Sequence, residues 1–341
     1  MEISMSDEKL MQAAWYEQQG AAQEVIKYGE MPIPQPGNNE VRVKVSASGV
    51  NPSDTKVRSG WGGIPQVFDR IIPHQDGTGV IESVGDGVKQ ERIGERVWIY
   101  EAQRQRPFGT AAEYVVVPSK QAVTLPDNTS FVEGACLGVP AMTAHRAVFA
   151  DGSIKGKTIL VTGGAGAVGN YAIQLAKWGG AKAIATVSRD EQAEIAKTAG
   201  ADNIINYKTE DVIQRIRDIT KTERGIDRVV DVNFTANLPI TSQVVRPNGV
   251  ITTYSAGDKP DAKPALPALL LLMNAVTIRF VLVYIMSEEN KQSATRDITK
   301  ALEAGALQHN IARRFSLTEV ATAHDFQDSG QGIGKAIIEI T

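Results

Sequence analysis

The chain has 341 residues, of which 42% are hydrophobic and 22% are charged, and its formal net charge is −3 at pH 7. This length predicts about two domains, and the ordinary composition excludes a disordered or fibrous protein. The small negative charge gives no overall attraction to nucleic acids or acidic membranes. A single cysteine, Cys136, excludes an internal disulfide and a four-cysteine zinc lobe, and its apolar neighbours indicate a buried thiol.

The amino terminus predicts no secretory signal, because the first 16 residues carry acidic side chains and lack an apolar core. We therefore expect a cytoplasmic protein. The longest apolar stretch, residues 265–286, contains a single charge, Arg279, and is interrupted by Pro267 and Asn274. It predicts a short helix followed by a buried strand at Val276–Tyr284 rather than a membrane span.

Strand-like runs separated by glycine and proline fill the segment from about Val41 to Pro126, which predicts an all-β region. From about Ser130 the pattern changes to alternating helices and strands, with strands expected in the segments KTILV, AKAIATVS, NIINY, GIDRVVDVNF and GVITTYSAG. This alternation predicts an α/β fold with a doubly wound parallel sheet. The tail from about Ser287 holds one helix and a closing strand, and we expect it to pack on the first domain.

A glycine-rich loop follows the first strand of the α/β region and opens a helix. It consists of Gly164, Ala165, Gly166, Ala167, Val168 and Gly169. In such a loop the first glycine permits the tight turn, the second lets backbone N–H groups approach a pyrophosphate, and the third lets the helix pack closely on the strand. A glycine-rich turn without a ligand is the alternative, but the order strand, loop and helix favours a dinucleotide site.

The end of the second strand distinguishes the two nicotinamide cofactors. NAD sites usually place an acidic residue there to bind the ribose 2′-OH, whereas a 2′-phosphate needs a cation. This sequence has Ser188 and Arg189 at that position and no carboxylate before Asp190. Arg189 can bind a phosphate through two N–H groups, and Tyr207 can donate a further hydrogen bond. The pattern predicts NADPH; the alternative is that Arg189 is a solvated residue at a helix start.

Short motifs stand in a specific order along the chain: Gly49 to Asp54, Gly77 to Gly85, Gly94 to Val97, Gly109 to Tyr114, Thr143, Gly163 to Gly169, and Gly334 to Ala336. In order and spacing they resemble the medium-chain dehydrogenase/reductase superfamily and, within it, the zinc-free, zeta-crystallin-like quinone oxidoreductases. The resemblance implies a GroES-like β-barrel catalytic domain, residues 1–137 and 286–341, and a Rossmann NADPH-binding domain, residues 138–285. It also implies a cleft between the domains that holds NADPH.

Zinc-dependent members of this superfamily hold the catalytic metal with a cysteine, a histidine–glutamate pair and a second cysteine. The corresponding positions here are Asn51, Gln75 with Asp76, and Val139. These side chains lack the thiolate and imidazole donors that catalytic zinc requires, so we expect no metal. His74 lies one position away from the pair and is expected to be a structural or site-lining histidine.

The resemblance also implies roles for individual residues. Asn51, Lys56 and Trp61 belong to the segment expected to line the substrate site and are the candidate catalytic residues. Related quinone reductases often have tyrosine where Lys56 stands, so Lys56 is interpreted either as a proton donor or as a solvent-exposed side chain. Cofactor contacts are expected at Asn51, at the loop and second-strand residues above, and at Thr143, Asn233, Ser255, Phe280 and Lys335.

Without a metal or an acid dyad, the chemistry falls to the cofactor, which transfers a hydride to an acceptor that is already electrophilic. The predicted activity is reduction of a quinone by NADPH, and an enone or 2-alkenal is the alternative acceptor. The sequence offers no Tyr-x-x-x-Lys pair of a short-chain reductase and no GxSxG hydrolase elbow. An NADPH-binding structural or RNA-binding protein is the alternative from a different class, although no nucleic acid or membrane partner is expected.

The last strand of the parallel sheet is apolar although it lies at the edge of the sheet. In related proteins this strand pairs with its copy across a two-fold axis, so the resemblance implies a homodimer through Val276–Tyr284. The alternative is a monomer in which the leucine-rich helix Ala268–Met273 covers the edge.

Overall fold

The computed structural model describes residues 9–257 and 259–340. The first eight residues, which belong to the segment that predicted no secretory signal, lie outside the described residues. Over the described part of the chain the strands are β1 (Leu10–Trp15), β2 (Lys27–Pro32), β3 (Glu40–Val50), β4 (Asp76–Val84), β5 (Arg96–Ile99), β6 (Tyr114–Pro118), β7 (Ala122–Thr124), β8 (Thr158–Val161), β9 (Lys182–Val187), β10 (Asn203–Asn206), β11 (Ile226–Asp231), β12 (Val245–Thr253), β13 (Thr277–Phe280), β14 (Ile311–Ser316) and β15 (Lys335–Glu339).

Helices occur in both halves of the described chain. They are α1 (Ala22–Val25), α2 (Pro52–Ser59), α3 (Phe131–Gly134), α4 (Gly138–Phe149), α5 (Ala167–Trp178), α6 (Asp190–Thr198), α7 (Val212–Thr220), α8 (Phe234–Val244), α9 (Ala268–Met273), α10 (Glu288–Glu303) and α11 (Val320–Ser329). The chain divides into two compact units: unit 1 contains residues up to 139 and from 311 onward, and unit 2 contains residues 140–310.

Unit 1 is built on a largely antiparallel sheet with the strand order β14-β15-β3-β4-β5-β7, and β6 pairs with the first half of β3. Strand β3 shows why these residues form a sheet: Val41, Val43 and Val45 are buried at alternate positions, so one face of the strand enters the core. The strands predicted in this region are confirmed, but the region also contains helix α2 and is therefore not the all-β region that the sequence analysis predicted. The central place of β3, between β15 and β4, brings distant segments of the chain together at its carboxyl end.

Unit 2 contains six parallel strands in the order β10-β9-β8-β11-β12-β13. The apolar residues of β8 and β9 are buried, as expected for strands that are covered on both faces. The predicted doubly wound sheet is confirmed. The strand order reverses at β8, which lies between β9 and β11. The carboxyl end of β8 is therefore the topological switch point, where open α/β sheets bind their ligands.

The tail helix belongs to unit 2 and not, as the sequence predicted, to the first domain. Unit 2 continues to residue 310 rather than ending at 285, and it includes α10. Two hydrogen bonds attach α10 to α4: His145 Nε2 lies 3.0 Å from Asp297 Oδ2, and Arg146 Nη1 donates to Asn290 Oδ1 at 2.9 Å. These are side-chain contacts over a long sequence distance, which the periodicity of the tail did not reveal. The closing strand β15 pairs with β3 of unit 1, so this part of the tail packs on the first domain, as predicted.

The last strand of the parallel sheet is also shorter than predicted. β13 covers four residues instead of Val276–Tyr284, because its partner β12 ends at Thr253 and leaves no further backbone groups to pair with. The chain then forms a single 3₁₀ turn at Val283–Ile285. Helix α9, in the stretch that was weighed as a membrane span, has six residues. Within residues 9–257 and 259–340, no helix is long and apolar enough to cross a membrane.

Candidate active site

Asn51, Asp76 and Lys335 form a buried polar cluster at one end of the sheet of unit 1. Each side chain is at most 3% exposed. Asn51 follows β3 and precedes α2, Asp76 begins β4, and Lys335 begins β15. Because β4 and β15 are the two neighbours of β3, the sheet register brings the three residues to the same place. Sequence reasoning selected Asn51 and Lys335 separately, and the structure joins them.

Hydrogen bonds connect the three side chains directly. Asn51 Nδ2 donates to Asp76 Oδ2 at 2.8 Å, and Lys335 Nζ donates to the same oxygen at 2.9 Å. Lys335 Nζ also donates to Asn51 Oδ1. The second carboxylate oxygen, Asp76 Oδ1, accepts a hydrogen bond from the Val139 backbone N–H at 2.9 Å. The positions that carry zinc ligands in metal-dependent relatives are therefore linked here by one carboxylate.

Two neighbours complete the environment of this cluster. Asp54 Oδ2 accepts a hydrogen bond from the Asn51 backbone N–H at 2.7 Å. Burial, reinforced by the nearby charge of Asp76, raises the pKa of the Asp54 carboxyl to about 7. Gly138 is required sterically, because a Cβ atom there would lie 1.9 Å from Asp76 Oδ1. In the described part of the chain, no three His, Cys, Asp or Glu side chains are grouped so that they could hold a metal ion.

A chain of hydrogen bonds leads from Asp76 to two buried histidines. Thr110 Oγ1 donates to the Asp76 carbonyl oxygen at 2.6 Å. Ser48 Oγ, 2.7 Å from Thr110 Oγ1, therefore donates to it and accepts from His74 Nδ1 at 2.8 Å. His74 Nε2 is then the acceptor for His324 Nε2, 2.9 Å away. The order of donors and acceptors fixes the tautomer of His74, requires this imidazole to be neutral, and places a proton on Nε2 of His324.

Burial favours the neutral state of both His74 and His324. It lowers the pKa of His74 well below its ordinary value, and the neighbouring His324 and Lys335 act in the same direction. Burial, with a smaller contribution from Arg58, lowers the pKa of His324 to about 3. His324 Nδ1 has no hydrogen-bond partner among the described residues. His74, expected to be a structural or site-lining histidine, is thus buried between Ser48 and His324.

The two other candidate catalytic residues lie against each other. The Nζ atom of Lys56, near the end of α2, is 4.3 Å from the centre of the Trp61 ring. This distance is typical of a cation–π contact, in which the ammonium group binds to the face of the ring. Both side chains are half-buried. The structure thus brings two of the candidate catalytic residues together by placing the Lys56 ammonium against the Trp61 ring.

The predicted dinucleotide loop joins β8 to the N-terminus of α5 in unit 2. Ala165 lies in the loop, and Ala167 and Val168 begin the helix. Gly166 is the N-cap residue, and the nearest contact of a Cβ atom placed on it would be the Gly163 carbonyl oxygen, at 3.4 Å. The residue has no side chain that could cap the first N–H groups of α5. These N–H groups and the positive end of the helix dipole suit a phosphate.

Glycine is required in this loop at further positions for steric reasons. A Cβ atom on Gly169 would lie 2.3 Å from the Gly163 carbonyl oxygen, so α5 packs closely on the loop, as predicted. A Cβ atom on Gly164 would lie 2.8 Å from Ala185 Cβ. The tight turn predicted at Gly164 falls instead on Gly163, whose φ of 67° is left-handed. The sequence GGAG offers two adjacent glycines, and spacing alone did not distinguish them.

The cofactor residues predicted at the end of the second strand of the parallel sheet lie at the end of β9. Ser188 Oγ and the Ser188 backbone N–H both donate to Gln192 Oε1 at 2.9 Å. Arg189 is exposed, is the N-cap residue of α6, and has no ion-pair partner among the described residues. Tyr207 is 50% exposed, and its backbone N–H donates to the Val187 carbonyl oxygen at 3.0 Å, so it lies beside the end of β9. An unpaired guanidinium and an exposed phenol are thus available at this edge.

The remaining predicted cofactor residues of unit 2 occupy two places. Thr143 is buried in α4. Asn233 caps α8 through its side chain, which accepts from the Ala236 N–H at 3.2 Å. Phe234 follows it, and its backbone N–H donates to the Ser255 carbonyl oxygen at 3.0 Å. Its ring packs edge-on against Phe280, with centroids 5.3 Å apart. The structure therefore groups Asn233, Ser255 and Phe280 around Phe234, a residue that the sequence analysis did not select.

A second buried polar cluster lies at the carboxyl ends of β8 and β11. Asp231 Oδ1 accepts hydrogen bonds from Thr162 Oγ1 at 2.7 Å and from Asn237 Nδ2 at 2.6 Å. Burial raises the pKa of the Asp231 carboxyl. Thr162 and Asn237 line a pocket of about 380 Å³ together with Tyr207 and Asn233. The sequence analysis missed this cluster, although the polar residues that end two apolar strands were a usable signal.

Two family descriptions match separate parts of the chain. Residues 37–127 match the alcohol dehydrogenase GroES-like domain, and residues 167–300 match the zinc-binding dehydrogenase domain. The first range lies in unit 1 and the second in unit 2.

Several proteins with established activities are similar along most of their length. Human quinone oxidoreductase is 28% identical over 333 residues, which cover 97% of this chain and 98% of the human protein. A quinone oxidoreductase of Pseudomonas aeruginosa is 30% identical over 303 residues, covering 88% of this chain and 91% of that protein. A 2-haloacrylate reductase of a Burkholderia species is 29% identical over 318 residues, covering 91% and 93%.

A solved mycobacterial structure described as a complex with NADPH has the same fold. It superposes with a TM-score of 0.81 at 25% identity and covers 96% of this chain and 99% of the mycobacterial chain. The similarity extends over both units, and the order of motifs agrees with it. The chain belongs to the medium-chain dehydrogenase/reductase superfamily, in its zinc-free quinone oxidoreductase branch.

Proposed function

We propose that this oxidoreductase is an NADPH-dependent quinone oxidoreductase that transfers a hydride from NADPH to a quinone without zinc. The observation that carries the proposal is the Asn51, Asp76 and Lys335 cluster, in which hydrogen bonds and an ion pair replace the donor set of a metal site. A site of this composition supplies hydrogen-bond donors rather than a Lewis acid. It suits an acceptor that is electrophilic without metal activation, and quinones meet this requirement.

The dinucleotide residues of unit 2 fit NADPH, which when bound supplies the hydride. The uncapped N-terminus of α5 can bind the pyrophosphate, because Gly166 leaves the approach to its N–H groups open. The exposed Arg189 guanidinium and the Tyr207 hydroxyl can bind a 2′-phosphate. The NADPH complex of the mycobacterial structure supports this assignment. These residues bind and orient the cofactor, while the acceptor is assigned to the cluster in unit 1.

An enone or 2-alkenal is the second candidate acceptor. The specific observation in its favour is the similarity to a 2-haloacrylate reductase, whose substrate is an activated alkene. Quinones and enones share a carbonyl group conjugated to a double bond. The hydrogen-bond donors of the cluster therefore suit both, and the distinction requires a direct assay.

The assay follows NADPH oxidation by the purified protein with a panel of quinones, cyclic enones and 2-alkenals. We expect turnover to be highest with a quinone and to be unchanged after dialysis against a strong chelator, because no thiolate or imidazole set is available for zinc. Higher kcat/KM with enones would favour the second candidate. Tight NADPH binding without oxidation by any acceptor would favour an NADPH-binding structural or RNA-binding protein. Loss of turnover on metal removal would contradict the zinc-free mechanism.

The cofactor preference is predicted to depend on Arg189. We expect NADPH to bind at least about tenfold more tightly than NADH, since a charge-assisted hydrogen bond to phosphate contributes about 1.5–3 kcal/mol. Arg189→Ala should remove most of this preference by weakening NADPH binding alone. The control is Lys197→Ala, which removes an exposed positive charge from the other end of α6. Equal affinities for both cofactors in calorimetric titrations of the parent protein would show that this strand end does not select the 2′-phosphate.

We also propose a homodimer through the edge of the parallel sheet. β13 pairs with β12 on one side, and next to it lies an apolar surface, the β13 patch, that is 53–76% exposed and consists of Leu266, Leu269, Leu272, Met273, Phe280, Leu282 and Ile285. Two of the four leucines of helix α9, Leu269 and Leu272, are exposed, which counts against the alternative in which this helix covers the edge. A patch of this size on a soluble protein favours an interface with a second copy.

Light scattering at micromolar concentration tests the dimer. The parent protein should have the mass of two chains, and Leu282→Lys should shift it toward one chain because a charge is placed in the apolar contact. Leu10→Lys is the matched control: Leu10 is 51% exposed and Leu282 is 53% exposed, but Leu10 lies on β1 of unit 1. A parent mass near one chain would refute the dimer. Equal effects of the two substitutions would place the contact elsewhere.

A further inference from the structure

Asp76 receives hydrogen bonds from three segments that are far apart in the chain. Its two carboxylate oxygens accept from Asn51 Nδ2, from Lys335 Nζ and from the Val139 backbone N–H, at 2.8–2.9 Å. The side chain is completely buried. A buried carboxylate is tolerated only when it is paired and hydrogen-bonded, and here both conditions are met. The position of Asp76 is therefore fixed, and so are the groups that it holds.

Counting donors and acceptors shows what Asp76 does to its two side-chain partners. One N–H of the Asn51 carboxamide goes to Asp76, and its oxygen accepts from Lys335, so the carboxamide has a single orientation. The Asn51 side chain also hydrogen-bonds to Asp54. The Lys335 ammonium has three N–H groups, of which two are used within the cluster. One N–H of Lys335 therefore remains, in a place from which water is nearly excluded.

We propose that Lys335 is a catalytic residue that donates a hydrogen bond to the oxygen of the electron acceptor, and that Asn51 and Asp76 are the positioning residues that orient its ammonium group. The inference rests on the proposed function, because it assigns roles for the reduction of a quinone or enone. It replaces the role of cofactor ligand that the sequence predicted for Lys335.

The chemistry of the reduction requires such a donor. The acceptor takes a hydride from the reduced cofactor, a new bond to hydrogen forms, and the displaced π electron pair of the acceptor becomes a negative charge on its oxygen. For a quinone, that oxygen then takes a proton from water and gives the hydroquinone. For an enone, the α-carbon of the enolate takes the proton from water and gives the saturated product. The cationic N–H donor of Lys335 stabilises the oxyanion while the charge develops. Because Asp76 and Asn51 hold this donor in place beforehand, little reorganisation is needed during the reaction.

A purely structural ion pair is the competing explanation, and a double variant separates the two. Lys335→Met alone leaves the Asp76 carboxylate buried without its cation, and Asp76→Asn alone leaves the ammonium unpaired, so each single variant should lose stability. The double variant Asp76→Asn/Lys335→Met has an uncharged side chain at both positions, so it should recover most of that stability. The control is Arg42→Met with Glu82→Gln, which removes the partly exposed ion pair between β3 and β4 away from the cluster.

The experiment measures unfolding by urea, NADPH affinity by fluorescence titration, and kcat and KM with the best acceptor of the panel. We expect the Asp76→Asn/Lys335→Met variant to regain stability and to bind NADPH within about twofold of the parent. Its kcat should stay roughly 10²-fold lower, the loss typical for removal of an oxyanion donor. The Arg42→Met/Glu82→Gln control should match the parent in all three quantities.

Two outcomes would overturn the inference. If kcat recovers together with stability, the pair is structural only. If kcat at saturating NADPH equals that of the parent while NADPH affinity falls at least about tenfold, Lys335 binds the cofactor instead.

Asn51→Ala keeps the inference testable if the double variant does not fold. This substitution preserves the ion pair and removes the carboxamide oxygen that helps Asp76 to orient the Lys335 ammonium. We expect reduced kcat with retained NADPH affinity, and an unchanged kcat would count against the proposal. A parent protein that oxidises NADPH with no acceptor of the panel would reject the proposed function, whereas an active parent with fully active variants rejects only the inference.

Discussion

Gly169→Ala is expected to destabilise the protein by about 3 kcal/mol and to abolish dinucleotide binding. The added Cβ atom would lie 2.3 Å from the Gly163 carbonyl oxygen and 3.0 Å from its carbon. Both are backbone atoms, so no side-chain rotation can relieve the contact, and α5 must move away from the loop. This movement displaces the N–H groups that the pyrophosphate needs. Urea denaturation and NADPH titration measure the two effects.

Gly166→Ala is the matched control in the same loop. Its Cβ atom would be 3.4 Å from the nearest atom, and Gly166 has an ordinary negative φ, so the fold should accept alanine. The methyl group instead occupies the approach to the helix N-terminus, and it should weaken NADPH binding with little change in stability. Equal stability losses in the two variants, or a Gly169→Ala variant as stable as the parent, would contradict the separate roles of these glycines.

The buried histidine pair predicts a defined change in acid stability. His324 takes up a proton near pH 6.5 when unfolded, but its folded pKa is about 3. Below pH 6.5 the unfolded chain therefore binds more protons, and stability falls as the pH decreases until the folded pKa is reached. Between pH 6.5 and 5 the loss from His324 is about 2 kcal/mol, at 1.36 kcal/mol per pH unit. His74 contributes in the same direction.

Asp54 acts in the opposite direction and must be separated from the histidines. Its folded pKa is about 7, above the ordinary value of 3.8, so it favours the folded state as the pH falls from 7 toward 4. We therefore compare urea denaturation of the parent, His324→Gln and Asp54→Asn between pH 7.5 and 5. Stability should fall less with acid in His324→Gln than in the parent, and more in Asp54→Asn. Parallel pH profiles for all three proteins would show that neither group is linked to folding.

The sequence predicted those features that depend on local patterns. Alternating valines in β3 bury one face of a sheet, and continuous apolar runs such as Thr158–Val161 require strands covered on both sides. The order strand, glycine loop and helix determined where α5 begins. Glycine at position 169 follows from the same pattern, because helix and loop meet there within a few residues. Contacts between residues that are close together in the chain can be predicted from their spacing alone.

The sequence was insufficient to predict features that depend on contacts between residues far apart in the chain. Periodicity identified α10 as a helix, but its attachment to α4 depends on Asp297 meeting His145, 152 residues away. The strand predicted over Val276–Tyr284 was too long, because its end is set by the end of its neighbour β12. The left-handed residue is Gly163 and not, as predicted, Gly164, since the backbone conformation of adjacent glycines depends on the residues that pack around them.

By itself the sequence determined the two fold types, the dinucleotide loop and the replacement of zinc-ligand residues by Asn51, Asp76 and Val139, because each depends on residue type and short spacing. Only the tertiary structure decided how these positions are used. The register of β4 and β15 on either side of β3 brings Asp76 and Lys335 to Asn51 across 25 and 284 residues of chain. A buried carboxylate requires partners, and folding supplied them from segments that no sequence pattern connects.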